Sequence, residues 1–343
     1  MTLCTTNDTV KPSLQSWIAA VAPAYGLDPG TLVRASSDAG FRQYWRVKAA
    51  DGKTFIVMDA EGETPESFAA FLKIDALMRE EAGLHAPEVF ETDVGHRFML
   101  LEDLGAQTYL DVLTEENAPQ LMDRATDALV RWQKISRPGV LPEYSREVLE
   151  REINLFPEWY VGRHRGVTWT EQQKGWWKMA VDAILDSNCR EARVFVHRDF
   201  MPRNLMVTQE GPGILDFQDA LYGPVSYDIA SLLRDAFISW GETFVLDITI
   251  RYWEKARKAG IRVPQDFGTF YRDVEFMGVQ RHLKVLGIFA RLNYRDGKPR
   301  YLADTPRFIE YVRKTSQRYI QLSPLLHLIN ELEGSNERVG YTF

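Results

Sequence analysis

Residues 197–207, HRDFMPRNLMV, place Asp199 and Asn204 five positions apart in a short loop between two apolar runs, VFV and LMV, and Asp216 follows nine residues after the second run in GILDFQDALYGP. Phosphoryl transfer needs this set. One Asp accepts the proton of the attacking hydroxyl, an Asn holds a metal ion, and a later Asp at a strand end holds the metal that bridges the phosphates. The spacing has a physical reason. Asp199 and Asn204 must flank a short turn so that one faces the acceptor and the other the metal, while Asp216 returns on a neighbouring strand. Taken singly, Asp and Asn are also ordinary turn residues, favoured for their local hydrogen bonds.

The pattern H-x-D-x-x-x-x-N followed by an Asp on the next hairpin resembles the aminoglycoside phosphotransferase and choline kinase family. His197, Asp199, Asn204 and Asp216 match it, and Asp228 of SYDIASLL matches the Asp that opens the next helix and braces the loop. The resemblance implies an α+β, bilobal protein-kinase-like fold with a small antiparallel-sheet N-lobe and a mostly helical C-lobe. It assigns Asp199 as the catalytic residue, Asn204 and Asp216 as ligands of Mg²⁺, and ATP as phosphoryl donor. FMLLEDLG is an apolar strand ending at Glu102-Asp103-Leu104, where this family's hinge offers backbone groups to adenine.

Two domains suit 343 residues, with boundaries expected at 1–104 for a nucleotide-binding lobe and 105–343 for a helical lobe carrying the catalytic loop and acceptor site. A net charge of −7 argues against nucleic acid as a partner. Cys4 and Cys189 are too few for a disulfide framework. The start MTLCTTNDTVKP lacks the charged and apolar regions of a secretory signal, and no stretch reaches the roughly 18 apolar residues of a spanning helix. A cytoplasmic protein with no membrane partner is expected.

Leu14, Trp17, Ile18 and Val21 form the stripe of an amphipathic helix over 13–24. Strands are expected over 31–36, 41–48 and 54–59, the last two joined by an Asp-Gly turn. The small-residue turn with Ser37 and Gly40 lies where kinase folds cover the nucleotide phosphates, though a plain hairpin turn would look the same. Arg42, just beyond it, reads as a phosphate partner or as an exposed strand arginine. No Lys or Arg occurs from Phe55 to Ala60, so the usual strand lysine and its helix Glu partner cannot be carried over. A helix over 65–82 and strands over 88–92 and 97–101 complete a five-stranded sheet.

Long helices are expected over 117–136, 145–164, 170–187, 242–259, 267–292 and 305–329, with Thr170 and Gln173 as a capping box and Ser226 as cap of the helix holding Asp228. The Trp159, Tyr160 and Arg163 group and the Arg281, His282, Lys284 and Arg291 group fall where the family places its acceptor. They also suit ordinary amphipathic helices.

SSDAGFRQYWRV, HAPEVFETD and ILDFQDALYGPVSYDIASLLRDAF are similar to the bacterial cell-wall amino-sugar kinases. This implies phosphorylation of N-acetylmuramate and N-acetylglucosamine at the anomeric 1-hydroxyl, in peptidoglycan recycling. The alternatives are a kinase of another small hydroxyl substrate such as an aminoglycoside, choline or homoserine, and a nucleotide-binding pseudokinase module.

Overall fold

The computed structural model describes residues 10–35, 42–235 and 237–334. They form two compact units, Met1–Val112 with Arg203–Asp219, and Leu113–Pro202 with Ala220–Phe343.

The first unit is a sheet with two main helices. Pro12 opens α1 (Pro12–Tyr25) and Gly26, at φ 64°, closes it in the left-handed conformation that a helix end favours. Strands β1 (Leu27–Arg34), β2 (Gln43–Ala49), β3 (Thr54–Asp59), β4 (Val89–Asp93) and β5 (Phe98–Glu102) pair antiparallel in the order β1-β2-β3-β5-β4. Alternation divides the side chains between two faces. Trp45, Val47, Val57, Phe98 and Leu100 bury one face against Leu14, Ile18 and Ala22 of α1. Tyr44, Met58 and Met99 are paired in register on the other. Helix α2 (Pro65–Ala76) is capped by the Thr64 hydroxyl, which accepts from the Ser67 N–H at 3.2 Å, and passes into a π-helical turn, Leu77–Glu81, before Gly83 at φ 61°. The short α3 (Tyr109–Val112) follows.

The first unit also takes in a later hairpin. With β6 (Arg193–Val196) assigned to the second unit, β7 (Leu205–Thr208) and β8 (Gly211–Ile214) belong to the first. Ile214 donates to the His85 carbonyl at 2.8 Å and Val207 to the Gln107 carbonyl at 2.9 Å. Gly213 permits this approach, because a Cβ there would lie 2.8 Å from the Leu104 side chain. The first compact unit thus runs past the expected boundary at residue 104 to Val112 and takes in Arg203–Asp219, joined to it by these sheet-type hydrogen bonds.

The second unit holds β6 paired with β9 (Leu221–Pro224) and the helices α4 (Ala118–Lys134), α5 (Arg146–Ile153), α6 (Glu171–Arg190), α7 (Tyr227–Leu233), α8 (Glu242–Lys258), α9 (Phe267–Tyr294), α10 (Thr305–Arg318) and α11 (Ser323–Glu333). The capping box at Thr170 and Gln173 forms. Two expected helices are broken, each at a proline. Pro157 cannot donate to Ile153, so α5 stops and a π-helical segment, Phe156–His164, continues. Pro324 cannot donate to Ile320, and Tyr319 turns extended between α10 and α11. Ser226 does not cap α7. Its N–H and hydroxyl both go to Glu191, at 2.9 and 2.8 Å. Among the described residues no helix is long and apolar enough to cross a membrane.

Candidate active site

In the second unit, β6 delivers the chain to a loop whose backbone is fixed by buried charge. His197 is fully buried. Its N–H and that of Arg198 donate to the two oxygens of Asp228, at 2.7 and 3.0 Å, and the Asp199 N–H donates to His197 Nδ1 at 3.3 Å. This bond makes Nδ1 the acceptor and leaves the ring proton on Nε2. His197 therefore braces the loop. Asp228 is also fully buried, and burial pushes its carboxyl up to about 7 although both N–H donors favour its charged form.

Arg198 sits at φ 77°, a left-handed conformation uncommon for a residue with a side chain. Its carbonyl accepts from Arg281 Nη1 at 2.8 Å, and its guanidinium reaches Glu152 Oε1 at 2.5 Å. Glu152 is the anionic hub of this cluster. It also accepts from the Tyr144 hydroxyl and pairs with Lys284 Nζ at 3.0 Å. Burial opposes its ionisation, but Lys284 and Arg198 hold its carboxyl below the usual range. Arg281 lies over the Tyr227 ring at 4.7 Å, in the field of Asp199 and Asp228.

Arg281 and Lys284, placed by sequence with the acceptor group, thus work inside the loop's support. His282 is buried as well, donating from Nε2 to the Arg234 carbonyl at 3.2 Å, and burial pushes its pKa down to about 3. Tyr160 is buried and donates to Glu333 at 3.2 Å. Sequence reasoning missed Glu152 as hub. The signal was a carboxylate on an apolar stripe, between Leu149 and Phe156 and beside Ile153.

In the first unit, Asn204 and Asp216 come together at the base of the β7–β8 hairpin. Leu205 pairs with Ile214, and one step outward Leu215 N–H donates to the Asn204 carbonyl at 2.9 Å. Asp216 stands at φ 62°. Its Oδ1 accepts from Gln218 Nε2 at 2.8 Å, while the fully buried Phe217 packs on Phe71 of α2 with ring centroids 4.8 Å apart. Among the described residues no group of three or more His, Cys, Asp or Glu side chains could hold a metal ion. The Asn204 and Asp216 pair instead offers the oxygen donors that Mg²⁺ takes when phosphates complete its shell.

Leu104 lies just beyond β5, and no hydrogen bond to its main chain forms among the described residues. Glu102 differs. Its N–H is taken by the Glu88 carbonyl at 2.8 Å, and its carboxylate accepts from His85 Nε2 at 3.1 Å. Arg42 donates to Ser67 Oγ at 2.8 Å. Burial pushes the Tyr44 hydroxyl up to about 12, with Arg42 opposing the rise and Asp216 adding to it. Ser37 and Gly40 lie outside the described residues. Asp199 belongs to the second unit, while Asn204, Asp216, Glu102, Leu104 and Arg42 belong to the first.

The chain is similar to known proteins in both sequence and fold. The N-acetylmuramate/N-acetylglucosamine kinase of Neisseria meningitidis serogroup B is 49% identical over 335 residues, spanning 96% of this chain and 98% of that protein. The enzyme of the same name from Pseudomonas aeruginosa is 48% identical over 91% of this chain and 92% of its own length. Among solved structures, a choline kinase from Cryptosporidium parvum superposes with TM-score 0.62 at 11% identity, covering 92% of this chain and 99% of that one. An ADP-bound aminoglycoside phosphotransferase gives 0.60 at 14% identity, over 88% and 98%. The family model described as phosphotransferase enzyme family matches residues 31–262, and on that match, over more than half its length, the chain belongs to this family.

Proposed function

We propose that the protein is an ATP-dependent, Mg²⁺-requiring kinase of the cytoplasm that phosphorylates N-acetylmuramate and N-acetylglucosamine at the anomeric 1-hydroxyl. The observation that carries this reading is the 49% identity, nearly end to end, with an enzyme of that name. Family membership alone would leave the acceptor open.

Asp199 orients the sugar 1-hydroxyl and accepts its proton as the oxygen attacks the γ-phosphorus. The new O–P bond forms as the bond from that phosphorus to the ADP oxygen breaks. An anomeric hydroxyl is more acidic than an ordinary alcohol, so a carboxylate is a sufficient acceptor. Asn204 and Asp216 would hold Mg²⁺, which when bound neutralises charge on the phosphate oxygens. The Leu104 main chain would meet the adenine.

The test is a substrate panel. With Mg-ATP and either amino sugar, the product expected is the sugar 1-phosphate, identified by phosphorus coupling to the anomeric proton. Phosphate on the 6-hydroxyl would refute the regiochemistry. Transfer to an aminoglycoside or choline, with none to either amino sugar, would overturn the substrate assignment.

A further inference from the structure

Strand β3 carries no cation toward a nucleotide. Met58 is fully buried, opposite Tyr44 in β2 and Met99 in β5. A positive charge stands nearby on a different element. Arg42, two residues before Tyr44, has a side chain only 10% exposed. Its Nη2 donates to Ser67 Oγ at 2.8 Å and lies 3.6 Å from Glu63 Oε2, and the Ser67 hydroxyl donates to Glu63 at 2.7 Å. Glu63 and Ser67 flank the Thr64 cap of α2. A cation beside the sheet is thus matched to a carboxylate at a helix start, the same pairing of charges that a strand lysine and helix glutamate supply in kinase folds.

Ser67, which Arg42 grips, stands one turn before Phe71 on α2, and the Phe71 ring packs on Phe217 beside Asp216, which puts Arg42 on the metal-ligand side of this unit. Neighbouring cations are committed elsewhere. Arg46 is held by Asp103 at 2.5 and 2.9 Å and by the Gly105 carbonyl at 2.8 Å. Lys11 pairs with Asp59 and Glu61 at 3.0 and 2.9 Å, and Arg97 donates to the Glu61 carbonyl at 2.8 Å. Arg42 keeps unused donors by comparison. It is joined to Ser67 and Glu63 among the described residues, and a guanidinium offers five N–H groups in a fork suited to phosphate. Among the described residues the carboxylate paired with this largely buried cation stands 3.6 Å away, which leaves the guanidinium able to take a further anion.

We infer that Arg42, anchored by Glu63 and Ser67, binds the phosphates of a nucleoside di- or triphosphate beside Asp216 in place of the absent β3 lysine. This rests on the phosphotransferase reading and specifies where the phosphate-binding charge comes from. Arg42→Met removes the charge and keeps the bulk. Calorimetric titration of the full chain should show Mg-ATP and Mg-ADP affinity falling about 10- to 100-fold, with adenosine affinity within twofold of wild type. Arg42→Lys should recover part of the loss. Glu63→Gln, which keeps the cation but weakens its anchor, should fall between wild type and Arg42→Met.

Unchanged Mg-ATP affinity in Arg42→Met would overturn the inference, and so would equal losses for Mg-ATP and adenosine, which would mark a packing role. A Glu63→Gln variant identical to wild type would overturn the anchoring role. The substrate assignment fails separately. A protein that binds Mg-ATP through Arg42 yet phosphorylates neither amino sugar upholds this inference and defeats that assignment.

Discussion

The loop carrying Asp199 and the turn carrying Asp216 both force a residue with a side chain into the left-handed region, Arg198 at φ 77° and Asp216 at φ 62°. Each such conformation costs about 1–3 kcal/mol and persists only where its surroundings impose it. The surroundings differ. Around Arg198, Asp228 takes the N–H, Arg281 gives to the carbonyl and Glu152 takes the guanidinium, all from buried side chains. At Asp216 an apolar neighbour, Phe217 against Phe71, and the amide of Gln218 shape the turn. A proton acceptor must be aimed by the protein alone, whereas a metal ligand is also aimed by its metal. On the roles proposed above for Asp199 and Asp216, the first calls for a charged clamp, while packing and the Gln218 amide contribute to the second.

The strongest test of this division is to remove each carboxylate. Asp199→Asn should lower kcat by about 10²–10⁴, the usual worth of a general base, with Mg-ATP affinity preserved in calorimetry. Asp216→Ala should instead abolish Mg²⁺-dependent nucleotide binding. Activity of Asp199→Asn within about tenfold of wild type would sink the base assignment, and normal metal-dependent affinity in Asp216→Ala would place the metal elsewhere.

A second pair of carboxylates sharpens the comparison through pH. Burial pushes both Asp228 and Asp75 up to about 7, but Asp228 accepts two backbone N–H groups, while Asp75 Oδ1 has no partner among the described residues and Arg79 stands 3.9 Å from Oδ2. For an acid raised in the fold, the native state binds more protons than the unfolded state between about pH 4 and 7, so stability falls as pH rises through that window. Asp75→Asn abolishes this loss. Its unfolding free energy should match wild type near pH 4 and gain on it up to pH 7, by at most about 4 kcal/mol for a carboxyl raised to about 7, read by denaturant titration at each pH. Asp228→Asn should destabilise at neutral pH by roughly 1–3 kcal/mol, because one amide oxygen cannot serve both donors. The same sign for both variants at pH 8 would show that the two sites are alike.

Much of this was legible in the sequence because it is local. The five antiparallel strands follow from alternation and the Asp51-Gly52 turn, and the motif residues lie within about thirty positions of one another. The clamp was not legible, since Glu152 and Arg281 reach Arg198, and Lys284 reaches Glu152, from helices far along the chain, and periodicity assigned those helices only a face. Ser226 illustrates the same failure at close range. Its cap position is right in spacing, yet Glu191, from the end of another helix, took its hydroxyl.

The clamp itself can be loosened without touching the base. Arg281→Gln should lower kcat by about 10- to 100-fold at nearly constant KM for ATP, since a misplacement of roughly 1 Å can cost that much. Arg281→Lys should restore part of it by donating to the Arg198 carbonyl. A KM effect equal to the kcat effect would mean that Arg281 acts on ground-state binding and not on the loop.

The smallest effect belongs to the amide at the other turn. Gln218 is buried and donates to Asp216 Oδ1 at 2.8 Å, so it fixes the carboxylate plane before any metal arrives. Gln218→Leu removes one hydrogen bond to a charged group, worth about 1.5–3 kcal/mol in gross terms. A Mg²⁺ ion held by Asp216 would recover most of that by orienting the same oxygens. The expected result is a rise of about threefold to tenfold in the Mg²⁺ concentration for half-maximal rate, with kcat at saturating Mg²⁺ close to wild type. If Gln218→Leu lowered saturated kcat as far as Arg281→Gln does, the metal would not be orienting its own ligand, and the two turns would be held by one strategy.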